Sequence, residues 1–169
     1  MFTVGAHCNV PLQSERTMKS SSIKLRVRYP ETDKMGVVHH TNYFVYFEMG
    51  RLEYLRSLGL PYPELEKENT QLAVLEAHCK YKAPARFDDV LVVETWLSGL
   101  SYAQMELSYK IWREEASDED SRGTSPHTAT QPRTLLAEGS TTLVCIDDNL
   151  KLKRIPDRIR NILPSEDTA

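Results

Sequence analysis

Residues 29–56 read YPETDKMGVVHHTNYFVYFEMGRLEYLR, and the conformation of this stretch decides how the rest of the chain folds. It opens with Pro30, Asp33 and Gly36, residue types that favour turns, and passes into a dense run of aromatic and aliphatic groups. Across residues 42–58 the apolar positions are Tyr43, Phe44, Phe47, Met49, Leu52, Tyr54, Leu55 and Leu58. At 3.6 residues per turn they cover most of the circumference, which predicts a helix of about 17 residues that is buried nearly all round. Thr41 and Asn42 are the natural helix caps, and Gly59 followed by Pro61 and Pro63 ends the helix. Glu48 lies where an acid needs a partner, and Arg51 one turn on supplies it; Glu53 and Arg56 repeat the spacing.

Working outward, residues 23–29 alternate Ile23, Leu25, Val27 and Tyr29 with Lys24, Arg26 and Arg28, the pattern of a half-buried strand. Downstream, residues 63–69 suit one short helical turn and residues 70–82 a strand. Residues 90–100 run apolar on both faces, as a central strand does, and residues 102–112 alternate cleanly. The short SGLS between these last two predicts a hairpin. Residues 133–147 form a long final strand in which Gly139 marks a bulge or a close approach. Residues 156–163 begin with Pro and Asp, as a short terminal helix does. One strand, a buried helix and four mostly antiparallel strands are satisfied together by a curved sheet wrapped around the helix, an α+β fold.

Composition narrows the function. A net charge of −3 offers no basic surface for nucleic acid, and no apolar run approaches the length of a membrane span. Cys8, Cys79 and Cys145 are odd in number and scattered, which argues against a disulfide framework and against a zinc site. The first residues lack a positive start followed by an apolar core, so no secretory leader is expected and the cytoplasm is the default location. The expected layout is an N-terminal extension over 1–22, one domain over 23–162 and a tail over 163–169. Within the domain, residues 114–132 are acidic and Ser/Thr-rich and are expected to form a mobile loop.

Three motifs carry a resemblance: TD followed by GVVHHTNYFVYFE and RLEYLRSLG, then YKAPARFDDVLVVET, then AEGSTTLVCID. Together they resemble the hotdog-fold acyl-CoA thioesterases of the 4-hydroxybenzoyl-CoA thioesterase family, over residues 23 to about 162. The resemblance implies a hotdog fold of about five antiparallel strands around one central helix, coenzyme A thioesters as substrates, and neither metal nor other cofactor. It implies that Asp33 is the catalytic carboxylate and that the His40 amide, at the helix N-terminus, faces the thioester carbonyl. It also implies a homodimer or homotetramer with sheets joined edge to edge and active sites between subunits.

The chemistry agrees with that transfer. Thioester hydrolysis needs a carboxylate, as nucleophile or general base, and donors for the developing oxyanion. The first amides of a helix are unpaired and sit at the positive end of its dipole. Composition alone reads Asp33 as a turn acid; the motif reads it as catalytic, and spacing does not choose between nucleophile and base. Tyr43 and Phe47 are expected in the core or lining the acyl pocket, with Lys82 and Arg86 as candidates for coenzyme A binding. Lys80, Lys151, Lys153 and Arg154 are further cationic candidates. Within the same fold an aromatic acyl-CoA hydrolase of the 4-hydroxybenzoyl-CoA or dihydroxynaphthoyl-CoA type is the alternative, and a non-hydrolytic acyl-binding module a second. A hotdog dehydratase is disfavoured, because no His-Phe-Pro-Gly motif is present.

Overall fold

The computed structural model describes residues 20–115 and 132–162. Strand β1 (Ser20–Arg26) leads through a 3-10 turn (Tyr29–Glu31) and a loop into helix α1 (Asn42–Ser57). Helix α2 (Tyr62–Lys67), strands β2 (Gln71–Tyr81), β3 (Val90–Leu100), β4 (Gln104–Glu114) and β5 (Arg133–Ile146), and helix α3 (Asp157–Ile162) follow. The five strands form one curved antiparallel sheet in the order β1-β3-β4-β5-β2, with β2 at one edge and β1 at the other. This is the fold that the resemblance implies. The expected extension at 1–22 overlaps β1, whose Ser20, Ser21 and Ser22 pair with Trp96, Thr95 and Glu94. Serines give no apolar signal, yet their backbones complete the ladder. The other residues of that extension, most of the 114–132 segment and the 163–169 tail lie outside the described residues.

Helix α1 buries Tyr43, Tyr46, Phe47, Gly50, Arg51, Tyr54 and Leu55, a stripe spaced three and four residues apart. It is therefore covered on one side within a single chain, not all round: Val45 and Met49 remain 45% and 44% exposed. Close contact between helix and sheet depends on glycine. A Cβ on Gly139 of β5 would stand 2.5 Å from the Phe47 ring, and one on Gly50 would meet Thr95 Oγ1 at 2.5 Å and Val93 Cγ1 at 2.9 Å. Gly139 is thus a close approach; the register shifts fall elsewhere, between Val74 and Glu76, between Leu97 and Gly99 and between Ile111 and Trp112. Glu48 and Arg51 meet at 3.4 Å, but the buried member is Arg51, since Glu48 points to solvent.

Because β2 lies at one edge and β3 beside the other, residues 82–89 carry the chain across the end of the sheet. That crossing holds both flanks of the loop between β1 and α1. The Val38 amide donates to the Ala85 carbonyl at 2.8 Å, and the Val27 amide to the Asp89 carbonyl at 3.0 Å. From the loop's own side, Glu31 is the anchor. Its carboxylate accepts from the Arg28 amide at 2.8 Å, the Arg28 guanidinium at 2.7 Å and the Tyr46 hydroxyl of α1 at 2.9 Å. Its carbonyl accepts from the His39 amide at 2.9 Å and from Asn42 Nδ2 at 2.7 Å. One buried residue therefore fixes the turn, the loop's far end and the first turn of the helix.

Burial raises the Glu31 pKa, but the hydrogen bonds from Arg28 and Tyr46 outweigh it and hold the carboxyl below its ordinary 4.5. A depressed folded pKa contributes stability that is complete above the unfolded value and is lost as pH falls through the folded one. Glu31→Gln should therefore lower stability by about 1–2 kcal/mol at neutral pH, the scale of a charge-assisted hydrogen bond. The difference from the native chain should shrink as pH falls below 4.5, where the carboxyl of the unfolded chain takes up a proton before that of the folded one. Thermal melts of both proteins across pH check this; equal destabilisation at acid and neutral pH would mean that the charge does not hold the loop.

Candidate active site

The anchored loop and the crossing segment enclose a cavity of about 330 Å³ on the concave side of the sheet's end. Asp33, Met35, Val37, Val38 and His40 line it from the loop, Tyr43 from α1, and Tyr81, Lys82, Ala83 and Pro84 from β2 and the crossing. The wall is mostly apolar, with one carboxylate and the start of one helix set into it.

Asp33 sits at the head of a tight turn. Its carbonyl accepts from the Gly36 amide at 2.9 Å, and Gly36 takes φ +73°, a conformation that glycine adopts without penalty. The side chain closes the same turn: Oδ1 accepts from the Met35 amide at 2.8 Å, while Oδ2 has no partner among the described residues. The turn-acid reading and the catalytic reading of Asp33 are therefore compatible. One oxygen orients the carboxylate, and the residue lines the cavity.

At the start of α1 the expected capping does not occur. Thr41 occupies the cap position with helical φ and ψ and makes no side-chain cap, because its hydroxyl pairs with His39 Nδ1 at 2.8 Å. Asn42 turns its amide away to the Glu31 carbonyl. Among the described residues, the amides of His40 and Thr41 accordingly have no acceptor. Unclaimed donors at a helix N-terminus favour negative charge, and His40, at this helix start, borders the same cavity as Asp33.

The other expected residues divide. Tyr43 lines the cavity with its ring, while its hydroxyl accepts from the Ala85 amide at 3.3 Å and burial raises its pKa. Phe47 does not line it; it lies one turn deeper, stacked on Tyr109 at 4.5 Å and pressed against Gly139. Lys82 reaches the cavity but is paired with Glu138 at 3.0 Å. Arg86 is exposed on the crossing segment just beyond the lining residues. Lys80 is exposed on β2. Lys151, Lys153 and Arg154 lie past the end of β5, at the opposite end of β2 from Tyr81, and Lys153 is spent on the Asn69 carbonyl at 2.7 Å. Sequence reasoning missed Tyr81 and the apolar lining residues Met35, Val37, Val38, Ala83 and Pro84. Tyr81 ends a strand most of whose central residues are exposed, and nothing in its spacing marks it.

Among the described residues no cluster of His, Cys, Asp or Glu could hold a metal ion, and no helix is long and apolar enough to cross a membrane. Residues 35–118 match the model of the thioesterase superfamily. A putative esterase of Aquifex aeolicus is 43% identical over 90 residues, 53% of this chain and 70% of the relative. A putative acyl-CoA thioesterase of Bacillus subtilis is 34% identical over 110 residues, 65% of this chain and 79% of the relative. The crystal structure of a hypothetical protein from Thermus thermophilus superposes with a TM-score of 0.70 at 35% identity, covering 85% of this chain and 95% of that one. With a hotdog sheet, the matching family model and relatives aligned over most of their length, the chain belongs to the thioesterase superfamily and is a thioester hydrolase.

Proposed function

We propose that the protein hydrolyses an acyl-CoA to the free acid and coenzyme A, with Asp33 as the reacting carboxylate and the start of α1 as the oxyanion site. The observation that carries this reading is that Asp33, with one carboxylate oxygen unpaired among the described residues, and His40, at a helix start whose first amides are unclaimed, line one mostly apolar cavity. The thioester carbonyl would lie against those amides, where developing negative charge meets the positive end of the helix. Asp33 then either attacks the carbonyl carbon or takes a proton from the water that does. In the first route the C–S bond breaks to leave an acyl-Asp33 anhydride, which water opens. In the second the water oxygen becomes part of the acid directly, and the departing thiolate takes up the proton. Both routes use the same carboxylate position.

Val37, Val38, Tyr43, Ala83 and Pro84 would hold the acyl group and its neighbouring pantetheine. Arg86, exposed beyond the lining residues, is the cation best placed for the nucleotide end, because Lys82 already has its partner. The similarity to the putative acyl-CoA thioesterase of Bacillus subtilis supports the same substrate class. Steady-state assays over aliphatic and aromatic acyl-CoA panels test it, and a preference for aromatic esters would select the narrower reading.

The same chain should assemble as a homodimer or a tetramer built from it. Strand β2 is an edge with Val74 52% and Leu75 55% exposed, and α1 offers Val45 and Met49. A long apolar edge left open is an invitation to pair. Antiparallel pairing of two β2 strands about a twofold axis would lay the Gln71 end of one beside Tyr81 of the other, which completes the cavity from a second copy.

Asp33→Asn should fold as the native chain does and lower kcat by at least about 10²-fold, the low end for loss of a general base. Native turnover in the folded variant would remove Asp33 from the chemistry. Sedimentation at micromolar concentration should show a dimer or larger; a monomer there would refute the edge pairing.

A further inference from the structure

Tyr81 is the last residue of β2, yet its hydroxyl leaves the strand and donates to the His40 carbonyl at 3.0 Å, across 41 positions of sequence. Its ring stands edge-on to Tyr43, with centroids 5.1 Å apart and planes at 80°, so the hydroxyl is held in direction. The carbonyl it holds has no strong partner in the helix itself: the Tyr43 amide approaches it only at 3.4 Å. That carbonyl and the Thr41 amide belong to one planar peptide group. A hydrogen bond at its oxygen fixes the plane's rotation and draws electron density from its N–H. The His39–His40 side of the same turn is held independently, through the His39 amide and Asn42 Nδ2, by the Glu31 carbonyl. The start of α1 is therefore clamped from two sides, by Glu31 beneath the loop and by Tyr81 from the sheet.

We propose that Tyr81 is a positioning residue for hydrolysis: by holding the His40 carbonyl, its hydroxyl aims the unclaimed amides at the start of α1 toward the substrate carbonyl. This rests on the reading of that helix start as the oxyanion site. The ring lines the cavity wall, but the hydroxyl is spent on the protein and not on the substrate. Desolvation, then the neighbouring Cys79, pushes the phenol up to about 12, so it remains a donor at neutral pH.

The test is Tyr81→Phe, which keeps the ring and its packing on Tyr43 and removes only the hydroxyl. With the best acyl-CoA, kcat should fall about tenfold, short of the roughly 10²–10³ that removal of a direct oxyanion donor costs. KM should stay within about twofold, because the apolar wall is intact. The acid limb of the kcat–pH profile should keep its midpoint, because the hydroxyl acts on the amides and not on Asp33. Native kcat in the folded variant overturns the proposal. A KM that rises in step with the fall in kcat overturns it too, since the hydroxyl would then be a substrate contact, and so does a large drop in melting temperature, which would make it a stability element. Failure of the underlying reading looks different. There the native protein hydrolyses no acyl-CoA, or Asp33→Asn leaves turnover unchanged, whatever Tyr81→Phe does.

Discussion

The buried carboxylate of Glu31 is the interaction on which the site's geometry depends. It brings together Arg28 just past β1, the turn that follows, and Tyr46 about one turn into α1, while the residue's carbonyl takes the His39 amide and the Asn42 side chain. A carboxylate this deeply buried is tolerable only because every approach to it is a donor. The arrangement leaves the loop from Thr32 to His40 little freedom, and that loop carries Asp33. Asp33, the loop's other acid, makes a single side-chain hydrogen bond among the described residues, to the Met35 amide. Diverting Asn42 to Glu31 and Thr41 to His39 has a second consequence: the start of α1 goes uncapped. Capping is worth about 1 kcal/mol, so the uncapped start costs stability and leaves donors open at the cavity.

The sheet contributes stiffness. Helix α1 sits so close to β3 and β5 that only glycine fits at positions 50 and 139, and Phe47 lies flat on Tyr109 beneath it. This contact fixes the helix along its length and hence the position of its first turn. The crossing from β2 to β3 then closes the cavity, because an edge strand joined to a strand near the opposite edge must pass over the sheet's end. Topology, more than any single residue, places Ala83 and Pro84 opposite Asp33.

Much of this was legible in the chain. The helix over 42–58 and the strands announced themselves through periodicity, because burial of one face imposes it. Asp33 and His40 were legible through a motif, and both line the cavity. What escaped has a common physical cause: roles set by partners distant in sequence. Glu31 looks like a solvated loop acid until Tyr46 and Arg28 close on it. Phe47 and Tyr43 sit four residues apart on one helix stripe, and only the depth of the sheet decides that one packs on Tyr109 and the other lines the cavity. Ser20, Ser21 and Ser22 joined β1 through backbone alone, which side-chain patterning does not register. The expectation of a helix buried nearly all round went too far, since Val45 and Met49 stay exposed among the described residues.

The substrate carbonyl itself reports most directly whether the start of α1 does what its geometry suggests. Binding an acyl-CoA labelled with ¹³C at the thioester carbon to Asp33→Asn, which should hold substrate without turning it over, allows the C=O stretch to be isolated by infrared difference spectroscopy. If the His40 and Thr41 amides polarise the bond, the stretch will move to lower frequency than in free substrate in water, and Tyr81→Phe in the same background will return part of that shift. A saturated complex whose carbonyl absorbs where the free ester does would contradict the oxyanion site.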